Sequence, residues 1–520
     1  MTDFPATTRS RRFLGGLSLG YLHTAVVILV GLWLTPYLLR HLGQHDYGLW
    51  LLAAQVVLYL GLMDLGVVAL LPRDVAYASG LDDERQEKLE ALIGQSTRLV
   101  LWQTPVVLAG GLLAWWLVPT EWAALQWPLL LVVLAFVATF PFRIFHAVLQ
   151  GLQDLSFLGS TQLAAWGAGT VVTVLGVALG FGLYSIAAGW IVTQALTPAV
   201  SWWRLRTRFP EAVPARLPSL TLAALKAQFG KGVWVSLSQV AQALLNGTDL
   251  LVIGKLLGPD VVVPYACTAK LVMLLGNQPQ LFMQTALPAL SELRASAPRE
   301  RLVEVSTAMT QLMLLASGGI VVLVLVVNEA FVTWWVGAAR YGGLDLTILL
   351  VAGMLIRHWN ITAVYTLFCF GYERRLALTA MAEGAAALAA MLLLIPLFGM
   401  SGGAMATLLS TCIVALPLNL RALVREQDVS LLTFLGPLRS SALRLAIVLA
   451  AVVALVSIWD IRGVWAAAGS ALAAGAVYAL VMWPMLFAPP LGPMVVHHLQ
   501  PLTPFVPGLS RRLLREQNTP

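Results

Sequence analysis

Apolar residues fill this chain in stretches of about 20, each enough to carry a helix across a roughly 30 Å hydrocarbon core. Such stretches start near Phe13, Tyr47, Arg98, Leu125, Gly159 and Ser185, then near Gly232, Val262, Val305, Leu344, Leu376 and Gly402. Two more begin near Ala442 and Val464. The pattern predicts an all-α integral membrane protein with about fourteen transmembrane helices.

The sparse markers between these stretches return along the chain. Gly43 and Trp50 in HLGQHDYGLW correspond to Gly258 and Tyr265 in LLGPDVVVPYA, each at an offset of 215. Pro72 corresponds to Pro288 at 216, Gly151 to Gly371 at 220, and Gly182 to Gly399 at 217. Six helices per copy is an even number, so both copies enter the membrane in the same orientation. The expected arrangement is two six-helix lobes related by a pseudo-twofold axis along the membrane normal, plus two extra C-terminal helices. The boundaries read as an N-terminal segment over 1–12, a first lobe over 13–203 and a linker over 204–231 with Pro210, Pro214 and Pro218. A second lobe follows over 232–423, two additional helices over 442–488 and a tail over 489–520.

Composition agrees, with 59% hydrophobic and 11% charged residues and a mean hydropathy of +0.82, against about 25% charged residues in a soluble domain. The net charge of +7 would suggest a nucleic-acid partner in a soluble protein, but here the basic residues lie between apolar spans and report orientation. With the N-terminus in the cytoplasm, 26 of the 32 Lys and Arg fall in cytoplasmic turns and tails. The opposite face keeps Arg40, Lys255, Arg340 and Arg462, and the asymmetry assigns both termini to the cytoplasm. Only Lys270 and Arg357 remain within spans. Arg11 and Arg12 in SRRFLGG flank the first helix, because the apolar run from Phe13 to Leu39 exceeds the roughly 7 to 15 residues of a signal peptide.

The non-cytoplasmic loops, such as Pro119 to Trp122 and Trp459 to Gly463, are too short to hold the catalytic domain of a membrane glycosyltransferase, polymerase or ligase. There is no P-loop for nucleotide hydrolysis. Cys267, Cys369 and Cys412 lie far apart without metal-ligand spacing, so no disulfide, metal or other cofactor is expected, and the chain reads as a transporter rather than an enzyme.

LLRHLGQHDYGLWLLAAQVVLYLGLMDLG near the start and NGTDLLVIGKLLGPDVVVPYACTAKL after the midpoint resemble the polysaccharide-export flippases of the MATE-like MOP exporter superfamily. The second copy departs from the first where Val263 stands opposite Gly48. The resemblance implies two MATE-like lobes rocking around a hydrated cationic cavity. The substrate it implies is an undecaprenyl-diphosphate-linked oligosaccharide, flipped across a bacterial inner membrane for O-antigen, capsule or exopolysaccharide synthesis. Its partners would be that lipid, the bilayer and a polysaccharide polymerase or other assembly protein. An ion-coupled multidrug antiporter of the same superfamily is the alternative, with a membrane glycosyltransferase behind it.

A diphosphate calls for cations or N–H donors, and sugars for amides and hydroxyls. Gln239, Gln242, Asn246 and Asp249 follow steps of 3, 4 and 3 and share one face of the seventh helix, lining a wet cavity or gripping a neighbouring helix. Lys270, Asn277 and Gln284 repeat every seven residues on the eighth helix, with Pro279 expected to break it. Arg357, His358 and Asn360 in LIRHWN sit mid-span, where a charge implies function or a salt bridge to Asp249, Asp64 or Glu383. Asp64, Asp249, His358 and Glu383 are the candidates for ion coupling or internal salt bridges. Arg143 and His146 read mostly as boundary charges at a helix end.

Overall fold

The computed structural model describes residues 6–64, 66–79, 85–214, 217, 222–296, 298–459, 463–493 and 495. The expectations for residues 1–5, part of the linker and the tail beyond 495 lie outside the described residues. Every regular element among the described residues is helical.

In chain order these are α1 (Ala6–Gly61), a 3-10 turn at Leu62–Asp64, α2 (Val67–Ser79), α3 (Arg85–Trp116), α4 (Ala123–Thr139), α5 (Arg143–Gly151), α6 (Leu155–Ala178), α7 (Leu183–Arg208), α8 (Leu222–Asn246) and α9 (Thr248–Leu257). Then follow α10 (Pro259–Ser296), α11 (Arg299–Val336), α12 (Leu344–Cys369), α13 (Glu373–Phe398), α14 (Met400–Ser410), α15 (Leu416–Gln427), α16 (Leu431–Leu435), α17 (Leu438–Ile458) and α18 (Val464–Leu486). Among the described residues twelve helices are long and apolar enough to span a membrane, and the bent pair α8–α9 makes thirteen. The longest, His23–Asp64, has 42 residues and turns a corner at Gly43, which divides it into two spans and brings the number to the fourteen expected. The protein is a multi-pass membrane protein.

The repeated glycines do the same conformational work in both copies. Gly43 (φ 83°, ψ 171°) and Gly258 (φ 94°, ψ 160°) adopt one backbone shape, and Gly182 and Gly399 share another at φ 55° and 59°. These regions belong almost wholly to glycine. The pairing of Gly151 with Gly371 is corrected by the structure. Gly371 (φ 80°) is matched by Gln153 (φ 60°), while Gly151 is helical and packs where a Cβ would strike the Pro72 carbonyl and Val75.

The chain forms two compact units, Met1–Val263 and Pro264–Pro520. The division falls beyond the 204–231 linker because α8 and α9, the first span of the second copy, pack on α1, α2 and the Leu62–Asp64 turn. In unit 1 the core gathers Leu49, Val75, Ile93, Leu129, Phe140 and Val148, all fully buried. Its tightest crossing joins α6 to α7, where a Cβ on either Gly169 or Gly189 would meet the other's carbonyl oxygen. At one end of this pair Arg204 reaches Asp154 at 2.8 Å and lies over the Phe157 ring at 4.4 Å.

Unit 2 is built around α11, the most buried span, which packs against α12, α17 and α18. Polar side chains stitch it in place. Gln311 donates to Ser441 Oγ at 3.2 Å and to the Met485 carbonyl at 2.8 Å, and Tyr478 donates to the Leu315 carbonyl at 2.5 Å. Asn328 donates to the Thr268 carbonyl and to Thr347 Oγ1.

Candidate functional site

In unit 2 the middle of α12 carries Arg357, His358 and Asn360, as the sequence expects. Asn360, 7% exposed, accepts from Asn419 Nδ2 of α15 at 2.8 Å. Glu383 of α13, 5% exposed, lies close enough to Arg357 for the two charges to act on one another. Of the three carboxylates considered as a counterion for Arg357, it is Glu383 that shares its unit. His358, 3% exposed, is 2.7 Å from Ser317 Oγ through Nδ1 and 2.8 Å from the Gly276 carbonyl through Nε2. A neutral ring satisfies both contacts by donating from Nε2 and accepting at Nδ1. His358 thereby ties α12 to α11 and α10.

Glu383 has a second partner that no sequence pattern indicates. Thr411 Oγ1 lies 2.6 Å from Glu383 Oε1 and 3.1 Å from the Thr407 carbonyl, at the start of a π-helical stretch, Thr411–Ala415. A hydroxyl has one proton to donate. If Thr411 gives it to a charged Glu383, the Thr407 carbonyl goes without it; if Thr411 gives it to Thr407, Glu383 must itself be protonated and donate. The contact therefore accommodates both protonation states of the carboxyl.

The α10 stripe is present, with Asn277 and Gln284 exposed and Lys270 half-buried. The break expected at Pro279 is not: α10 runs continuously from Pro259 to Ser296. Interior prolines are commonly tolerated in membrane helices.

In unit 1 the breaks fall elsewhere. Gly247 separates α8 from α9 with a bend of 43°, so the four-residue stripe ends before Asp249. Gln242 and Asn246 stay exposed and bond at 3.4 Å, and Gln239 is half-buried. Asp249 lies beyond the bend, accepts from the Leu250 amide at 2.9 Å and acts by its charge on Tyr59. Tyr59 Oη binds Thr248 Oγ1 and the Ala243 carbonyl, tying α1 to both sides of the bend.

The second break, at Leu62–Asp64 and Gly66, holds Asp64 at 4% exposure. Its Oδ1 accepts from the Gly66 amide at 3.0 Å and its carbonyl accepts from Gln103 Nε2 at 3.2 Å. Arg143, read as a charge at a helix end, is half-buried, donates toward the Gly61 carbonyl at 3.5 Å, lies 5.6 Å from the Phe136 ring centre and acts on Asp64. His146 pairs with Gln162 at 3.3 Å, leaving its Nδ1 buried without a partner. The sequence signal was a step of three from Arg143 to His146 facing inward from a short helix, α5. Each unit thus holds an arginine and a carboxylate in its interior. Among the described residues no cluster of three or more His, Cys, Asp or Glu is positioned to hold a metal ion.

Residues 112–339, somewhat under half of the chain, match the family described as polysaccharide biosynthesis protein. No curated protein is significantly similar to the chain in sequence. Among solved structures, the chain resembles the lipid II flippase MurJ in an inward closed conformation, with a TM-score of 0.65 at 12% identity over 90% of this chain and 99% of that one. It also resembles a multidrug resistance MATE family transporter of the MOP superfamily in its inward-facing conformation, with a TM-score of 0.62 at 13% identity over 80% and 99%. An outward-facing MATE structure aligns with a TM-score of 0.51 at 15% identity over 81% and 96%. The fold is that of the MATE-like MOP exporters.

Proposed function

We propose that this chain is a flippase that carries a polyprenyl-diphosphate-linked oligosaccharide across the bacterial inner membrane for surface polysaccharide synthesis, with both termini in the cytoplasm. The observation that carries this reading is the polysaccharide biosynthesis match over residues 112–339, on a fold like that of a lipid II flippase. The interior arginines fit it. A diphosphate crossing the membrane calls for cations or N–H donors, and Arg357 offers a guanidinium mid-span, three residues before Asn360. Gln239, Gln242, Asn246, Asn277 and Gln284 supply amides for sugar hydroxyls, and Lys270 a second cation.

The coupling step we infer is protonation of Glu383. Charged, the carboxylate attracts Arg357 and accepts a hydrogen bond from the Thr411 hydroxyl; protonated, it frees the guanidinium for the diphosphate. Asp64 with Arg143 is the corresponding pair in unit 1, and Asp249 and His358 are secondary candidates. The multidrug-antiporter reading rests on the MATE likeness and predicts drug efflux in place of glycan export. A polymerase or other assembly protein would receive the flipped product.

The test is complementation of a strain lacking the gene. Arg357→Ala, at normal membrane abundance, is expected to abolish surface-glycan export and to leave lipid-linked intermediates on the cytoplasmic leaflet. Arg357→Lys should recover part of the activity, since it keeps the charge and loses the fork. Normal export by Arg357→Ala would remove this residue from the mechanism, and drug efflux without any glycan phenotype would favour the antiporter.

A further inference from the structure

At the corner between α12 and α13, a recess of about 460 Å3 is lined by Gly371, Tyr372, Arg374, Arg375, Leu378 and Thr379. The recess is open to the surface, and none of these residues takes part in the interior cluster. Arg374 is exposed and Arg375 half-buried, with Arg375 Nη2 anchored on the Leu418 carbonyl at 3.1 Å. A third guanidinium, Arg294 of α10, donates to the Cys369 carbonyl and lies 4.9 Å from the Phe370 ring centre. The charge of Arg425 reaches Tyr372 as well. Against these stand Glu373 and Glu426, the latter accepting from Tyr372 Oη at 2.7 Å. The corner is net positive. Leu378, little more than a turn into the apolar span and 49% exposed, extends the recess along the outer surface of that span.

We propose that this recess binds the phosphate headgroup of a resident anionic phospholipid, with Arg374 and Arg375 on the phosphate and Leu378 against the first methylenes of the acyl chains. Guanidinium groups pair phosphate oxygens in a fork, and basic residues at the end of a span collect anionic lipid from the adjoining leaflet. The apolar wall selects the lipid over a soluble phosphate, which would gain nothing from Leu378. The site is independent of the flippase reading, because it needs only the corner and a bilayer.

The experiment uses the purified, delipidated full chain, incubated with phosphatidylglycerol or with phosphatidylcholine and weighed by native mass spectrometry. The wild type is expected to retain phosphatidylglycerol on the order of tenfold better than phosphatidylcholine. The double variant R374Q/R375Q should lose that preference, and R374K/R375K should keep most of it, which separates lost charge from lost folding. An unchanged preference in R374Q/R375Q overturns the proposal. So does its equal loss in both double variants. Displacement of phosphatidylglycerol by millimolar inorganic phosphate would assign the recess to a soluble anion and overturn the lipid assignment.

Discussion

A charge at the centre of a membrane helix costs at least about 2.5 to 3.5 kcal/mol on insertion scales, so it persists where a partner or a function repays it. Arg357 lies within reach of the Glu383 charge, and Glu383 accepts from the Thr411 hydroxyl. Glu383→Gln keeps an acceptor for the Thr411 hydroxyl and removes the titrating group. If protonation of Glu383 drives transport, flipping in reconstituted vesicles should lose its dependence on an imposed pH gradient in this variant; persistence of that dependence would exclude Glu383 as the coupling site. His358 belongs to another category. Its two ring nitrogens bridge three helices, and His358→Ala should lower stability by about 1–3 kcal/mol through the buried partners it strands. Thermal unfolding in detergent measures this. An unshifted midpoint would mean that water replaces the ring.

At the scale of elements, glycines do two separable jobs. At Gly43 and Gly258 a Cβ would meet nothing within 4 Å, yet φ is 83° and 94°. Alanine at either should therefore cost only backbone strain, about 1–3 kcal/mol, and by a similar amount in the two copies. At Gly48 the limit is space, since a Cβ would strike the Pro259 carbonyl. This explains why Val263 can stand opposite Gly48 in the second copy: the glycine serves a contact, not a repeated turn. Gly48→Ala should thus be more disruptive than Gly43→Ala, and ranking the variants by unfolding temperature decides the point. The α6–α7 crossing at Gly169 and Gly189 is limited in the same way, and Gly169→Leu should force the pair apart and drop membrane abundance several-fold.

For the whole molecule, α17 and α18 lie outside both repeat copies but are not appendages. Ser441 of α17 and the Met485 carbonyl of α18 accept from Gln311 Nε2, Tyr478 closes over Gly318 and Gly319, and Leu445 fills the space beside Gly318. Removing the chain after 437 would leave the Gln311 amide without its Ser441 and Met485 acceptors and bare the α11 face. Truncated protein should fail to accumulate, read by quantitative immunoblotting of membranes against the full chain. Normal accumulation would show that α11 is stable without them. The recess at Arg374 and Arg375 and the interior pair at Arg357 and Glu383 both belong to unit 2, so their variants can be compared against one stability reference.

The sequence by itself determined the solvent, the number of spans and the repeat, because each rests on local apolar length or on a backbone shape that only glycine adopts readily. Gly43, Gly258, Gly182 and Gly399 were legible for that reason. It also marked Arg357, Asp64 and Glu383, since a charge inside an apolar run stands out. Only the tertiary structure decided the partners. Thr411 and Asn419 meet Glu383 and Asn360 across helices, and Arg143 turns inward from α5 towards Asp64, none of which follows from spacing along one helix. Helix breaks were likewise decided by packing: Pro279 passes unbroken within α10, while Gly247 and the turn at Leu62–Asp64 yield, where Tyr59 and Gln103 take up backbone carbonyls beside each break. Apolar periodicity records how far a helix can run in lipid, and contacts between helices determine where it bends and which charges it keeps.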